Sequence, residues 1–183
     1  MSRRWEPVTL TRNCKALTVP YGEEVELSEG GQVQIVQRLG GSITVQTEMG
    51  TLMRLRGEDA DAVGLEVEAS PHGHHPSDGT FDMDRVEAAL DTVYDPEIPV
   101  SILELGLVYR CEEVIRDDGR RRIEIDMSMT APGCGMGDVL REDVIRAVNV
   151  IPGVNEVDVN LVWQPPWTIA RMSEAARLQL GLL

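Results

Sequence analysis

One breaker-rich stretch near the middle of the chain constrains the fold more than any other feature. Residues 70–79 have the sequence Ser-Pro-His-Gly-His-His-Pro-Ser-Asp-Gly, in which apolar residues follow neither the helical nor the strand period. Because the stretch also lacks the apolar side chains that would fix it to a core, we expect a linker. The 183-residue chain is therefore predicted to form a module over residues 1–70, a linker over residues 71–80 and a second domain over residues 81–183.

The N-terminal module contains short stretches in which apolar and polar residues alternate. Residues 32–35, 42–46 and 53–56 show this pattern, and the turn-forming segments 39–41 and 48–50 separate them. Alternation with tight turns is typical of neighbouring antiparallel strands. The sequence therefore predicts a small all-β module before the linker.

The second domain starts with a helical pattern and then changes to strands. Apolar residues recur at helical spacing directly after Asp82, a candidate N-cap. Residues 107–115 and 122–130 are predicted as strands of an antiparallel hairpin, with a turn at residues 117–119.

Two further patterns complete the second domain. A helix is expected over about residues 137–149, and an alternating strand over residues 157–163 follows it. Beyond Pro165 and Pro166, residues 167–179 show a helix-like pattern. The predicted class is α+β, with a C-terminal α-β-β-α-β-α domain around a small mixed sheet.

Charge and composition exclude several classes of protein. The chain has 17 Lys plus Arg against 31 Asp plus Glu, a net charge of −14, so attraction to a phosphate backbone would not support nucleic-acid binding. Its apolar runs are far shorter than the roughly 20 residues that cross a bilayer, and the first residues lack the apolar segment of an export signal. We expect a cytoplasmic protein with neither a nucleic-acid nor a membrane partner.

The three cysteines are widely spaced and form no C-x-x-C pair. They are Cys14, Cys111 and Cys134, an odd number that does not make a disulfide framework, so reduced thiols are expected. A single chain also lacks four thiolates for zinc or an iron-sulfur cluster. Cys14 and Cys111, in the N-terminal segment and in a predicted strand, are interpreted as packing residues.

Cys134 lies in the segment whose sequence most strongly indicates a chemical function. Residues 129–138 have the sequence Met-Thr-Ala-Pro-Gly-Cys-Gly-Met-Gly-Asp, a strand end followed by a glycine-rich loop and a helix. The amides and dipole of a helix N-terminus lower the pKa of a nearby thiol, which favours a nucleophile or a soft-metal ligand. The alternative is that Cys134 only fills the turn.

A second loop, Tyr94-Asp95-Pro96-Glu97-Ile98-Pro99, carries two carboxylates between prolines. They could bind a hard metal ion, take a proton from a thiol or bond to loop amides. The alternative is an Asx-type turn made by Asp95. The histidines at positions 72, 74 and 75 could bind a divalent metal ion, but a solvated linker is the preferred interpretation.

Aromatic residues flank a diproline in Trp163-Gln164-Pro165-Pro166-Trp167. We expect Trp163 to serve the core or a dimer contact, and Trp167 could line the Cys134 loop. The chain has one lysine and no G-x-S-x-G or phosphate-binding loop, and the second domain has no histidine. A cysteine hydrolase would therefore need a base from elsewhere.

Five ordered motifs resemble the MIP-eighteen family of iron-sulfur assembly factors across nearly all of residues 81–183. They are Asp95-Pro96-Glu97, Leu105-Gly106-Leu107-Val108-Tyr109, Thr130-Ala131-Pro132-Gly133-Cys134, Pro152-Gly153-Val154 and Trp163-Gln164-Pro165-Pro166-Trp167. Leu39-Gly40-Gly41-Ser42, Gly50 and residues 59–64 further resemble the SufT branch, in which a β module precedes this domain. Gly135 stands where family members often carry proline, which would leave the loop more flexible.

The resemblance implies a non-enzymatic factor that helps to mature iron-sulfur clusters or to deliver them to recipient apoproteins. It places the family's cysteine on Cys134 as the metal ligand, its acidic loop on Asp95 and Glu97, and Thr130 and Gly133 beside the cysteine. The implied cofactor is an iron-sulfur cluster, bound transiently and shared between chains, and the implied partners are the assembly machinery and recipient apoproteins. A thiol-dependent enzyme and a scaffold that does not ligate the cluster remain the alternatives.

A single thiolate also predicts a homo-oligomer. A cluster usually takes up to four ligands, so we expect it to lie between two chains, with carboxylates or exogenous thiols in the remaining positions. Alternatively, a permanent dimer would use an exposed strand edge or the tail helix carrying Met172 and Ala176.

Overall fold

The computed structural model describes residues 6–67, 80–131 and 135–182. The chain divides into two compact units, Met1–Pro71 and His72–Leu183. Apart from Thr80, the segment predicted as a linker lies outside the described residues. Within the described ranges, none of the helices is both long and apolar enough to span a bilayer.

The first unit is a six-stranded antiparallel sheet, so the predicted small β module is confirmed. Its strands are β1 (Val8–Thr9), β2 (Cys14–Val19), β3 (Glu24–Leu27), β4 (Gln32–Leu39), β5 (Ser42–Thr47) and β6 (Leu52–Arg56), in the spatial order β1-β4-β5-β6-β2-β3. The three stretches of alternating residues correspond to β4, β5 and β6. Strands β1 to β3 were not predicted.

A short 3-10 helix, Gly57–Val63, closes this unit after β6. Ala62 from this helix packs with Val45 and Leu55 from the sheet, and all three are fully buried. Cys14 belongs to the same core, with 5% of its surface exposed. The alternation in sequence therefore marks the sheet face that packs inward.

The second unit is a three-stranded mixed sheet with helices, which confirms the α+β class. The elements in chain order are α1 (Met83–Asp91), β7 (Val108–Ile115), β8 (Arg121–Met127), α2 (Gly137–Asn149), β9 (Glu156–Leu161), a 3-10 helix (Ile169–Arg171) and α3 (Glu174–Gln179). The sheet has the order β7-β8-β9, with β7 antiparallel and β9 parallel to β8. Helix α2 is the crossover between the two parallel strands.

The core of this unit follows the periodicities of β8 and α2. Ile123, Ile125 and Met127 alternate along β8 and are fully buried, and so are Leu140 and Val144 on one face of α2. Burial of one such side chain contributes about 1.5–3 kcal/mol. The predicted cap of α1 is also confirmed, because a carboxylate oxygen of Asp82 accepts a hydrogen bond from the Asp84 N–H at 3.0 Å.

Three predicted boundaries in this unit were wrong. Strand β8 ends at Met127 and β9 at Leu161, short of residues 130 and 163. The pairing of β8 with both neighbouring strands ends at Met127, which lies opposite Val108 of β7 and Leu161 of β9. The tail is not one helix over residues 167–179. It is interrupted because Ser173, with an extended backbone, caps α3 by accepting a hydrogen bond from the Ala176 N–H at 2.9 Å.

Candidate functional site

The acidic loop, residues 94–99, leaves the end of α1 and folds back on itself. A β-bridge pairs Tyr94 with Ser101, and the Asp95 N–H donates to the carbonyl of Val100 at 3.2 Å. The Ile102 N–H donates to the Val93 carbonyl at 2.9 Å. The loop is therefore closed at its base by backbone hydrogen bonds.

Asp95 organises this loop from inside. Its side chain is buried, with 4% of the residue exposed, and Oδ1 accepts hydrogen bonds from the amides of Glu97 at 2.8 Å and Ile98 at 2.9 Å. This is the Asx-type turn that the sequence left open as the alternative. The turn brings two predicted site residues, Asp95 and Glu97, into one hydrogen-bonded loop.

Glu97 presents the second carboxylate of the loop. The residue as a whole is exposed, although its carboxyl group is partly removed from water. This desolvation raises the pKa of Glu97, and the nearby charge of Asp95 raises it further. Glu97 therefore holds a proton more readily than an ordinary surface glutamate.

The second predicted loop joins β8 to α2. Gly133 and Cys134 lie outside the described residues, as does Pro132. On one side of them the half-buried Thr130 follows β8, and on the other Met136 precedes α2 and is almost completely buried.

The start of α2 is held by packing. A Cβ atom added to Gly137 would lie 3.2 Å from Cδ1 of Leu161 at the end of β9, so the helix start packs closely against this strand. The side chain at its N-cap, Met136, makes no capping hydrogen bond. The first-turn amides of α2 therefore lack a capping bond from this side chain.

The two other cysteines occupy apolar surroundings, in agreement with their interpretation as packing residues. Cys111 lies on β7 against the core of the second unit, and both thiols are free. Burial, followed by the charges of Glu87 and Glu112, raises the pKa of Cys111 to about 11. Burial also raises the pKa of Cys14. Both thiols are thus protonated at neutral pH.

The two tryptophans have different environments. Trp163 is 42% exposed and lies beyond the end of β9, so the expectation that it serves the core was wrong, while a dimer contact stays a prediction. Trp167 is half-buried against the core, and its indole N–H donates to the carbonyl of Leu105 at 2.8 Å.

Met172 and Ala176 do not form an exposed face for a dimer contact. They are 6% and 1% exposed and belong to the core of the second unit, while a permanent dimer through other residues of the tail or a strand edge stays a prediction. In the same tail, sequence reasoning missed Arg171, Ser173 and Gln179, whose contacts to residues 99–109 have no local sequence signal.

Among residues 6–67, 80–131 and 135–182, no three His, Cys, Asp or Glu side chains are grouped in a way that could hold a metal ion. Cys134 and the histidines at positions 72, 74 and 75 lie outside these ranges.

Comparisons with known proteins match the part of the chain that carries both loops. The family model described as "Iron-sulfur cluster assembly protein" matches residues 83–160. An "Fe-S protein maturation auxiliary factor" from Porphyromonas gingivalis is 43% identical over 94 residues, which are 51% of this chain and 86% of that protein.

Two further relatives have similar names. The Bacillus subtilis "Fe-S protein maturation auxiliary factor YitW" is 36% identical over 54% of this chain and 93% of its own length. The Staphylococcus aureus "Fe-S protein maturation auxiliary factor SufT" is 39% identical over 49% of this chain and 98% of its own length. Each relative thus corresponds to about half of the chain.

Proposed function

The chain belongs to the iron-sulfur cluster assembly protein family, and on this premise we propose that it is a maturation factor that holds a cluster, or iron, transiently and passes it to recipient apoproteins. The observation that carries the proposal is the family match over residues 83–160, which contain both the acidic loop and the cysteine loop. Three relatives that this chain covers over most of their length are named as Fe-S protein maturation auxiliary factors.

Cys134 is the proposed ligand, and the other two thiols support this choice by their surroundings. Cys14 and Cys111 have raised pKa values in apolar positions, whereas iron is bound by the thiolate form. Cys134 precedes Gly137, the first residue of α2, by three positions. A helix start without a bond from its N-cap side chain favours a negative group nearby.

The acidic loop supplies the carboxylate groups in this proposal. Asp95 holds the loop in this conformation through its two hydrogen bonds to loop amides. Glu97, with its raised pKa, is suited to accept a proton released when the thiol binds metal. Thr130 and Gly133 flank the cysteine in sequence, and Gly133 would allow bulky cargo to approach the backbone.

The cargo is proposed to be shared between two chains. One thiolate per chain leaves most positions on a cluster to a second Cys134 and to exogenous thiols or carboxylates. Incomplete ligation by each chain suits release to an apoprotein, and the proposal requires no catalytic turnover. The partners would be the assembly machinery and recipient apoproteins in the cytoplasm.

Anaerobic reconstitution with iron and sulfide tests the proposal. The wild-type protein and its Cys111→Ser variant should develop visible charge-transfer absorption, while Cys134→Ser should remain nearly colourless. Cys111→Ser is the matched control because it removes a thiol from the same unit. Light scattering before and after loading should show a rise in mass from cluster-bridged pairing.

Three results would contradict this proposal in different ways. Equal absorption from Cys134→Ser and wild type would exclude Cys134 as the ligand, and a loaded monomer with about one cluster per chain would exclude shared ligation. A colourless wild-type protein that still binds apoproteins would indicate a scaffold. Turnover of a thioester or a peroxide would indicate an enzyme.

A further inference from the structure

The C-terminal strap, defined as residues 167–182, contacts one continuous part of the second unit. The Trp167 indole N–H donates to the Leu105 carbonyl at 2.8 Å, and Nε of Arg171 donates to the Gly106 carbonyl at 3.2 Å. The Arg171 guanidinium also lies 3.7 Å from the centre of the Tyr109 ring. These contacts hold the strap against residues 105–109.

Two further contacts extend this interface towards the acidic loop. The Ser173 N–H donates to the Glu104 carbonyl at 2.9 Å, and the Ser173 hydroxyl donates to the Glu104 carboxylate. Nε2 of Gln179 donates to the carbonyl of Pro99 at 3.0 Å. Because Pro99 is the last residue of the acidic loop, the strap touches that loop directly.

Backbone contact makes the fit of the strap tight at Gly106. This residue has a φ of +67°, and a Cβ atom there would lie 2.1 Å from the carbonyl oxygen of Arg171. The strap therefore approaches the 105–107 backbone as closely as a glycine permits.

The part that the strap contacts is also the part that closes the acidic loop. The Ser101 hydroxyl donates to Oδ1 of Asp91 at 2.6 Å and accepts from the Glu104 N–H at 3.3 Å. The Leu105 N–H donates to the Ser101 carbonyl at 2.9 Å. A displacement of Glu104 or Leu105 would thus be transmitted to Ser101, which forms the β-bridge with Tyr94.

The strap is secured by few fully buried side chains. Met172 and Ala176 are its buried apolar residues among those described, and α3 has only six residues. The partly buried Trp167 and Leu180 also pack against the core of the second unit, and hydrogen bonds fix the strap to Pro99, Leu105 and Gly106. The strap also lies beyond residues 83–160, the part matched by the family model.

We propose that the C-terminal strap is a positioning element that fixes the acidic loop for handling the cargo, with Trp167 and Gln179 as its positioning residues. The inference rests on the proposed function, in which the acidic loop and Cys134 both serve the cargo. Gln179 acts through the carbonyl of Pro99 in the loop, and Trp167 acts through the carbonyl of Leu105. Neither Gln179 nor Trp167 is placed in contact with the cargo.

The test compares Gln179→Ala and Trp167→Phe with wild type in the full chain. Gln179→Ala removes the bond to Pro99, and Trp167→Phe removes the donor to Leu105 while keeping an aromatic ring. Leu178→Ala is the matched control, since Leu178 is the neighbouring residue on α3 and is 68% exposed. Amide hydrogen exchange is measured by NMR at Glu97 and Ile98, whose N–H groups bond to Asp95.

Both variants should accelerate exchange at these two amides by about two- to tenfold, the range expected for one lost hydrogen bond. The amides of Ile123 and Ile125 in β8 should exchange at the wild-type rate, and so should every amide in Leu178→Ala outside α3. With cargo loaded, both variants should also release it to a chelator faster than wild type.

Several outcomes would overturn the inference. Unchanged exchange at Glu97 and Ile98, or equal acceleration in β8, would leave the strap with only a general stabilising role. If the variants exchange faster at Glu97 and Ile98 but release cargo at the wild-type rate, the strap holds the loop without affecting how the cargo is handled. A wild-type chain that takes up no cargo would instead overturn the proposed function, and the exchange data would still show whether the strap holds the loop.

Discussion

Replacement of Gly106 by alanine tests the tightest contact between the strap and the rest of the second unit. Two costs add at this position. A residue with a side chain in the left-handed region costs about 1–2 kcal/mol, and the φ of Gly106 is +67°. The new Cβ would also lie 2.1 Å from the Arg171 carbonyl oxygen and 2.7 Å from its carbonyl carbon.

These atoms belong to the backbone, so no rotation of a side chain relieves the overlap. The strap must move, and overpacking of this kind costs about 1–3 kcal/mol. The expected loss for Gly106→Ala is therefore about 2–5 kcal/mol, a large share of the roughly 5–15 kcal/mol that stabilises a typical domain.

Gly119 provides the matched control within the same unit. Its φ is +79°, and nothing lies within 4 Å of a Cβ atom built there, so Gly119→Ala should lose only the backbone cost of about 1–2 kcal/mol. Urea unfolding followed by tryptophan fluorescence should separate the two variants by a midpoint difference on the order of 1 M. Equal midpoints would refute the close contact between Gly106 and the strap.

Three other outcomes are expected. Iodoacetamide at neutral pH should modify Cys134 well before Cys111, whose pKa is raised to about 11; equal rates would show that Cys111 is more accessible than its position implies. Arg110 lowers the pKa of Asp126, so the stability from this pair is present above the unfolded pKa of about 3.9 and is lost as pH falls through the lower folded value. Asp126→Asn should therefore flatten the acid side of the stability profile, and an unchanged profile would exclude a contribution from the pair. A fragment of residues 81–183 should give a dispersed NMR spectrum, whereas a collapsed spectrum would show that it needs residues 1–70.

The period of the apolar residues was sufficient to predict a helix or strand whose buried residues repeat regularly along it. Helix α2 has the bounds expected from the sequence, Gly137–Asn149, and the alternation in β8 corresponds to its buried face. Strand β2 was missed; it forms a local hairpin with β3, but its pairing with the rest of the sheet depends on a partner that is distant in sequence. It pairs with β6, in which Leu52 opposes Val19, and a hydrogen-bonded ladder between such distant segments leaves no short-range pattern.

The motifs predicted candidate residues for the chemistry, and the tertiary structure shows the surroundings of those that it describes. The sequence singled out Asp95 with both a functional and a turn-forming interpretation, and the structure shows the turn-forming bonds directly. The sequence already separated Cys134 from Cys14 and Cys111, which it assigned to packing. Burial raises the pKa of Cys14 and Cys111, a property that depends on the packed environment of each cysteine.

The amino-acid sequence by itself determined the α+β class, the small β module before the second domain and the two loops with candidate chemistry. These features depend on residue order over a few positions, because turns, caps and amphipathic faces are local. Only the tertiary structure decided that the C-terminal strap lies against residues 99–109. Its contacts join residues 62 to 80 positions apart, such as Trp167 with Leu105 and Gln179 with Pro99. The acceptors in these contacts are backbone carbonyls, which every residue has. The sequence therefore does not indicate which carbonyl a side chain will contact, and the packing of the folded chain decides it.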